Sequence, residues 1–261
     1  MSKTPRFLLV FAILLVVSAT SFAQSQGREI FVGVKAGFSL PNLVGSSDQE
    51  ITRDYKSRMA PNFGGFVDVQ LKKNTSLQIG LDFAPQGGKR NGIQPVTSTI
   101  PGLPALPAGA YYFANFNNTA KLNYLEVPIM LKYRVRRSKP VGFYVNGGPY
   151  MGFLLKATTV TSGNSSLFLN NTGTIPVLIG PNTPFPAIPF DAETDVTDDL
   201  NRFNFGITGG GGITFKQKKN YFFIDGRVAY GLTTLQKNTA TDGKSRTGNL
   251  VFSFGYAFGV K

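Results

Sequence analysis

Apolar and polar residues alternate along the stretch Leu122–Leu155. Alternation with a period of two predicts extended strands that have one apolar face and one polar face. The basic segment RRSKP separates two arms of this kind. Each arm has about ten residues or more, which is the length that a tilted strand needs to cross a bilayer. The pattern therefore predicts a membrane-spanning hairpin, with its apolar face against lipid and its Glu, Lys and Arg residues inside a barrel.

The same alternation recurs along the chain and predicts eight strands. We place them at residues 29–40, 62–71, 76–86, 122–135, 141–155, 202–215, 221–235 and 247–261. The connections between them are alternately long and short, which is typical of transmembrane barrels with short periplasmic turns and long external loops. The predicted fold is therefore all-β, an eight-stranded antiparallel transmembrane β-barrel of the up-and-down type.

Aromatic residues gather at both ends of the predicted strands, as expected for two interfacial girdles. The turn-side group is Phe31, Tyr133, Phe143, Phe215, Phe222 and Phe258, and the loop-side group is Phe38, Phe63, Phe83, Phe153 and Phe203. A soluble lipocalin-like barrel is the alternative, but it would have to bury the charged face or expose a full belt of Phe and Leu. In the fourth strand, Pro128 removes a ladder donor and predicts a bulge or local distortion.

Composition narrows the possible functions. The chain has no Cys, so disulfides and thiolate metal sites are excluded, and it has no His. Its formal net charge is +13, which raises the question of nucleic-acid binding. The Lys and Arg residues are spread over turns, and no recognition motif concentrates them, so we expect no nucleic-acid partner.

Residues 1–23 are expected to be a secretory signal peptide. Lys3 and Arg6 precede the apolar run Phe7–Ser18, which is too short for a membrane helix. Small residues before Gln24 predict cleavage there. The mature chain 24–261 is then a single β-barrel domain in the outer membrane of a Gram-negative cell, with the lipid bilayer as its environment.

Several segments carry a family resemblance. The opening FVGVKAGFSLPNL, the segment YLEVPIMLKYRV with FYVNGGPYMGFLL after it, and the closing FSFGYAFGV resemble the PorT-type outer-membrane β-barrel family of Bacteroidetes. The resemblance implies an outer-membrane location and, as for a few members, a role in assisting type IX secretion and gliding. Many outer-membrane barrels end on an aromatic residue, whereas this chain ends on Lys261, which leaves Phe258 as the substitute.

The sequence offers little that favours catalysis. It has no G-x-S-x-G motif and no His, the commonest general base near neutral pH. The glycine run Gly209–Gly212 lies inside a predicted strand, where small residues accommodate bulky neighbours or a bend. An acidic cluster, Asp191, Glu193, Asp195, Asp198 and Asp199, matches no calcium loop and is interpreted as a solvated loop. We therefore expect no enzyme, no cofactor and no metal.

Charged residues on the polar face of the strands form the first candidate site. Four are basic and four are acidic: Lys35, Lys132, Arg134 and Arg227 against Asp68, Asp82, Glu126 and Asp225. An eight-stranded barrel is only just wide enough for side chains to fill it, so this balanced set predicts a salt-bridged plug. A narrow, porin-like ion or solute pore lined by the same groups is the alternative. Inward-pointing Phe66, Met130, Tyr144 and Tyr150 favour the plug.

Two long segments, Gly87–Lys121 and Lys156–Asn201, form the second candidate site. They are unusually rich in Pro and apolar residues, and exposed apolar surface commonly marks a partner site. The candidate binding residues are Pro101, Leu103, Tyr111, Tyr112, Phe113, Pro181, Phe185 and Pro189. They predict either a docking surface for another cell-envelope protein or loops that pack on one another over the barrel mouth.

Overall fold

The computed structural model describes residues 28–45, 50–107, 109–135 and 140–260, so the predicted signal peptide lies outside it. Eight long strands make up the barrel. They are β1 (Ile30–Gly45), β2 (Ala60–Lys72), β3 (Thr75–Val96), β4 (Tyr112–Val135), β5 (Val141–Ser162), β6 (Phe203–Gln217), β7 (Asn220–Gly231) and β8 (Ser245–Gly259). Within the described ranges, no helix is long and apolar enough to cross a membrane.

Each strand pairs antiparallel with the next, and β8 pairs with β1 to close the ring. Following the register once around from Ile30 leads back to β1 at Leu40, which is a shear of ten residues. The path runs through Val69, Leu77, Leu131, Gly147, Gly209, Val228 and Leu250. The fold predicted from the sequence is confirmed. We call the end with the connections 97–111 and 163–202 the loop end, and the opposite end the turn end.

The outer surface of the barrel is an apolar belt, because alternate residues of every strand point away from the bore. One row of register partners near the loop end consists of Phe63, Phe83, Leu125, Phe153 and Phe203. The rings of Phe63 and Phe83 stack with centroids 5.0 Å apart, and Phe153 meets Phe203 edge-on at 5.5 Å.

One predicted member of the turn-side girdle lies elsewhere. Phe31 is buried inside the barrel, with its ring 5.1 Å from that of Tyr221. It shares a strand face with Lys35, four residues further along β1, and that face points inward. The prediction for Phe31 was therefore wrong, and the period-two rule itself gives the correct side.

Strands β3, β4 and β5 continue well beyond the belt, which corrects the prediction of a loop at Gly87–Lys121. Residues 87–96 of β3 pair with residues 112–121 of β4, and β5 runs on to Ser162. The connection 163–202 also contains strands. Ala192–Asp195 pairs with β5, Leu167–Phe168 with β4, Asn164–Ser165 with Ile188–Pro189, and Leu178–Gly180 with Thr183–Pro184. We call the described residues of 87–121 and 156–202 the cap.

The ladder is disturbed at Pro128, as predicted, but without a bulge there. The pairing of β4 with β3 is interrupted between Glu126 and Ile129, and the pairing of β4 with β5 is interrupted between Pro128 and Leu131. The register is the same on both sides of each interruption. The register shift in β4 lies instead at Asn123–Tyr124. The missing amide donor thus loosens the wall locally and leaves the barrel geometry unchanged.

The glycine run of β6 fits the wall between β5 and β7. A Cβ on Gly210 would lie 2.1 Å from the carbonyl oxygen of Gly226 and 2.7 Å from Cγ of Arg227. A Cβ on Gly209 would point outward and meet nothing closer than 3.5 Å. The run therefore includes positions at which only glycine leaves room for an inward-pointing side chain of the neighbouring strand.

We predict that Gly210→Ala lowers the melting temperature of the barrel in detergent, whereas Gly209→Ala changes it little. The added methyl at position 210 must displace backbone and the Arg227 side chain, but at position 209 it meets ordinary van der Waals distances. Heat-modifiable gel mobility measures both variants. Equal melting temperatures would show that Gly210 is not held against Arg227.

Candidate functional site

The turn end of the bore is filled by aromatic rings around two cations. Phe31, Phe66, Tyr144, Tyr221, Phe223 and Ala257 form one buried cluster. The ammonium of Lys132 lies 3.9 Å from the centroid of the Tyr144 ring, and the guanidinium of Arg134 lies 5.3 Å from that of Phe31. Both positions suit cation–π attraction.

Asp68 is the carboxylate that both of these cations share. Its Oδ2 accepts a hydrogen bond from Nη2 of Arg134 and lies 3.5 Å from Nζ of Lys132. Lys132 also donates to Oε1 of Gln78 at 3.2 Å. All three charged side chains are more than nine-tenths buried, so one carboxylate offsets two desolvated cations.

The middle of the bore holds the other five predicted charges. Lys35 donates to Oδ2 of Asp82 at 2.7 Å, and Arg227 lies 3.8 Å from the same atom and 3.7 Å from Oδ1 of Asp225. Asp225 also accepts hydrogen bonds from the hydroxyls of Tyr144 and Ser253. Glu126 accepts one from Nε2 of Gln86 at 2.8 Å. All eight predicted charged residues, including Asp68, Lys132 and Arg134, therefore lie inside the barrel.

The loop end of the bore is closed by polar side chains and then by apolar ones. Thr247 receives a hydrogen bond from Nδ2 of Asn204 at 2.9 Å, and the hydroxyl of Tyr150 lies 3.4 Å from the hydroxyl of Thr247. Above them is a buried apolar cluster of Leu43, Ala120, Leu122, Tyr124, Leu154, Ala157, Leu200 and Leu235. Aromatic, ionic, polar and apolar layers therefore follow one another along the bore.

The cap has an apolar core of its own. Val96, Ile100, Ala114, Phe116, Leu167 and Val177 are buried together, and Leu103, Tyr112, Phe185, Ile188 and Phe190 pack against them. The rings of Phe116 and Phe190 stack at 4.6 Å with an interplanar angle of 6°. Backbone bonds complete the unit, since Phe185 N donates to Val177 O at 2.7 Å and Phe190 N donates to Gly163 O at 2.8 Å.

The predicted binding residues of the cap divide into two groups. Pro101, Pro181 and Pro189 are exposed, and Tyr111 is partly exposed. Leu103, Tyr112 and Phe185 pack on the cap core, and Phe113 is buried within β4 with Phe168 as its register partner. The structure contradicts an exposed role for Phe113, because pairing with a short strand of the connection 163–202 covers it.

The most exposed apolar residues of the cap were missed by the sequence reasoning. Leu169, Ile175, Leu178 and Ile179 are each at least half exposed. We call them the apolar ridge. Leu178 and Ile179 lie on the short hairpin 178–184, whose turn has Asn182 in the left-handed backbone region. The run IPVLIG gave a signal of apolar content, but no periodicity showed which of its residues face outward.

Carboxylates of the predicted acidic cluster lie along the outside of the cap. Glu193 and Asp195 are on the strand Ala192–Asp195, and Asp198 pairs with Arg202 at 2.7 Å. Hydrogen bonds from Thr197 hold the pKa of Asp195 below its ordinary value. Among the described residues, no group of three or more His, Cys, Asp or Glu is placed to hold a metal ion.

The closed ring, the lipid-facing belt and the filled bore define an integral β-barrel membrane protein. The family model of the outer membrane protein beta-barrel domain matches residues 22–237, and the chain belongs to that family. Its environment is therefore the lipid bilayer of the outer membrane. No curated protein sequence matches the chain.

Solved outer-membrane proteins show distant similarity. The attachment invasion locus protein Ail of Yersinia pestis has 13% sequence identity and a TM-score of 0.39, covering 88% of this chain and 99% of that one. OprG from Pseudomonas aeruginosa has 9% identity and a TM-score of 0.38, covering 88% and 95%. The outer membrane protease OmpT from Escherichia coli has 9% identity and a TM-score of 0.36, covering 88% and 96%.

We predict that Asp68→Asn destabilises the barrel by about 3–5 kcal/mol, because it leaves Lys132 and Arg134 buried without their carboxylate. Asp198→Asn is the matched control, since it removes an ion pair whose carboxylate side chain is 92% exposed. That loss is expected to be about 0–1 kcal/mol. Urea unfolding from lipid vesicles measures both. If the two variants unfolded at the same urea concentration, water would have to fill the bore and screen the ion pairs of Asp68.

Proposed function

We propose that this protein is a non-conducting, non-catalytic outer-membrane anchor that displays the cap for binding another protein of the cell envelope. The observation that carries the proposal is the combination of a bore filled along its length with a folded cap that leaves the apolar ridge exposed. In this proposal, residues 1–23 are removed during export, and the loop end faces the outside of the cell.

The filled bore supports an anchor over a pore. Conduction requires a continuous polar path, and here the ionic layer lies between an aromatic cluster and an apolar one. The buried charges are balanced in sign and largely paired with one another, so they stabilise the barrel rather than offer sites to a passing ion.

The same arrangement supports binding over catalysis. The chain has no His, and the buried carboxylates Asp68, Asp82 and Asp225 lie against cations. Glu126 is 8% exposed and accepts a hydrogen bond from Gln86. It lies beneath the apolar cluster that closes the loop end. A carboxylate in such a position has no direct route to a lipid or peptide substrate.

The apolar ridge supports a protein partner. Loops that only cover a barrel mouth bury their apolar residues, as Ile100, Phe116 and Leu167 are buried here. The ridge adds Leu178 and Ile179, two neighbouring residues of a short hairpin that are both at least half exposed, and exposed apolar groups of this kind usually mark interaction sites. The resemblance to the PorT-type family points to components of the type IX secretion system as the partner class.

We predict that the purified protein gives no discrete conductance steps in planar bilayers, because no continuous aqueous path crosses the aromatic and apolar layers. A general porin inserted under the same conditions is the positive control. Reproducible steps that scale with the amount of inserted protein would contradict the anchor and favour the narrow pore.

We predict that Leu178→Ser combined with Ile179→Ser abolishes photo-crosslinking of the cap to its partner on intact cells. The two side chains are 50% and 58% exposed, so their replacement removes apolar contact area without opening a core. Membrane insertion and heat-modifiable mobility should be unchanged.

Asn115→Ser combined with Asn117→Ser is the matched control, because both residues are exposed on the β4 part of the cap. This variant should keep every crosslink. The docking role would be contradicted if the ridge variant crosslinked as the intact chain does, or if the intact chain crosslinked to no protein. The cap would then serve only to close the barrel mouth.

A further inference from the structure

A row of basic side chains runs along the outside of the barrel just above the apolar belt. Lys89 on β3, Lys121 on β4 and Lys156 on β5 are all exposed, and Arg202 directly precedes β6. We call these four residues the basic row. They lie on neighbouring strands, so their charges accumulate on one side of the barrel.

The register shows that the basic row is close to level in the membrane. The partner of Lys89 on β4 is Thr119, and Lys121 lies two residues nearer the turn end. The partner of Lys121 on β5 is Thr158, and Lys156 again lies two residues nearer the turn end. With a shear of ten over eight strands, a level line steps down by roughly one residue per strand, so the row nearly follows it.

The lysines are close enough to repel one another. Residues that are diagonal across neighbouring strands have Cβ atoms about 7–8 Å apart, which is comparable with the screening length of about 8 Å at physiological salt, so the repulsion between their ammonium groups is only partly screened. In the part of the chain that the structure describes, no carboxylate pairs with Lys89 or Lys121. An anion that bridges them would remove this repulsion.

Acidic residues approach the row at its β6 end. Arg202 is paired with Asp198, but that pair is exposed and therefore weak. Asp195 lies near Lys156 and Arg202 and interacts with both. Lys89 on β3 and Lys121 on β4 thus carry the unbalanced positive charge of the row.

The position of the row relative to the belt indicates the kind of anion. Nearer the turn end on the same strands are Phe83, Leu125, Phe153 and Phe203, which face lipid chains. An open cleft of about 360 Å³ lies at the β6 end, lined by Asn201, Arg202, Phe203, Phe205, Thr233 and Thr234. The cleft has an aromatic lower part and a polar upper part, so it crosses the boundary between lipid chains and lipid headgroups.

We propose that the basic row binds the phosphorylated headgroup of an anionic lipid in the leaflet at the loop end. Phosphate oxygens bridge the ammonium groups of Lys89, Lys121 and Lys156, and an acyl chain lies along Phe203 and Phe205. The ligand is a lipid rather than a soluble anion, because the row is continuous with the surface that lipid chains cover.

The test uses the full mature chain refolded in zwitterionic detergent, with diphosphorylated lipid A as the probe and native mass spectrometry as the measurement. The variant is Lys89→Gln, Lys121→Gln and Lys156→Gln together. Each basic residue near a charged lipid surface contributes about fivefold to binding, so the triple variant should bind about a hundredfold more weakly. The corresponding triple arginine variant should bind as the unchanged chain does.

The control is Lys216→Gln, Lys218→Gln and Lys219→Gln, which removes the same charge from exposed positions at the turn end. It should change the affinity less than threefold. An equal loss in the two glutamine variants would overturn the site, because it would show attraction to net charge alone. Binding of inorganic pyrophosphate as tight as that of the lipid would also overturn it, in favour of a soluble anion.

Discussion

Closure of the hydrogen-bonded ring between β1 and β8 is the constraint on which the rest of this structure depends. A bilayer offers no partner to an unpaired backbone amide, so a sheet can cross it only without edges. Closure with eight strands and a shear of ten residues sets the width of the bore, and that width is too small for a wide channel but too large to be left empty. The interior has to be filled by side chains that the surrounding wall can accommodate.

The filling works by matching large side chains with glycines. The ring of Tyr144 lies over Gly212, its register partner on β6, because Gly212 has no side chain in its way, and the ring of Tyr150 lies over Gly206 in the same manner. Arg227 occupies the space that Gly210 leaves. The ionic groups then have to balance, since each unpaired charge inside would be strongly destabilising. Glycine content and charge balance are therefore two results of one geometric requirement.

The sequence predicted the barrel well because lipid and bore impose a period of two along every spanning strand. The alternation alone correctly assigns Lys132, Arg134 and Asp68 to the inward face. It failed beyond the belt, where both faces of β3 and β4 meet water or the cap and Pro, Gly and Asn replace the alternation. The burial of Phe113 and the exposure of Leu178 could not be predicted, because both depend on how the connection 163–202 folds back onto the sheet.

The extension of three adjacent strands has a mechanical consequence. The 24 residues of β4 span about 80 Å at roughly 3.3 Å per residue, so a single continuous strand joins the tip of the cap to the turn end. A pull on the cap along the strands loads the ladders β3–β4 and β4–β5 in shear, where many hydrogen bonds resist together instead of opening one by one. The cap is thus connected rigidly to one side of the barrel wall through β3, β4 and β5. Force applied to the cap is transmitted to the strands that carry Asp82, Lys132 and Arg134.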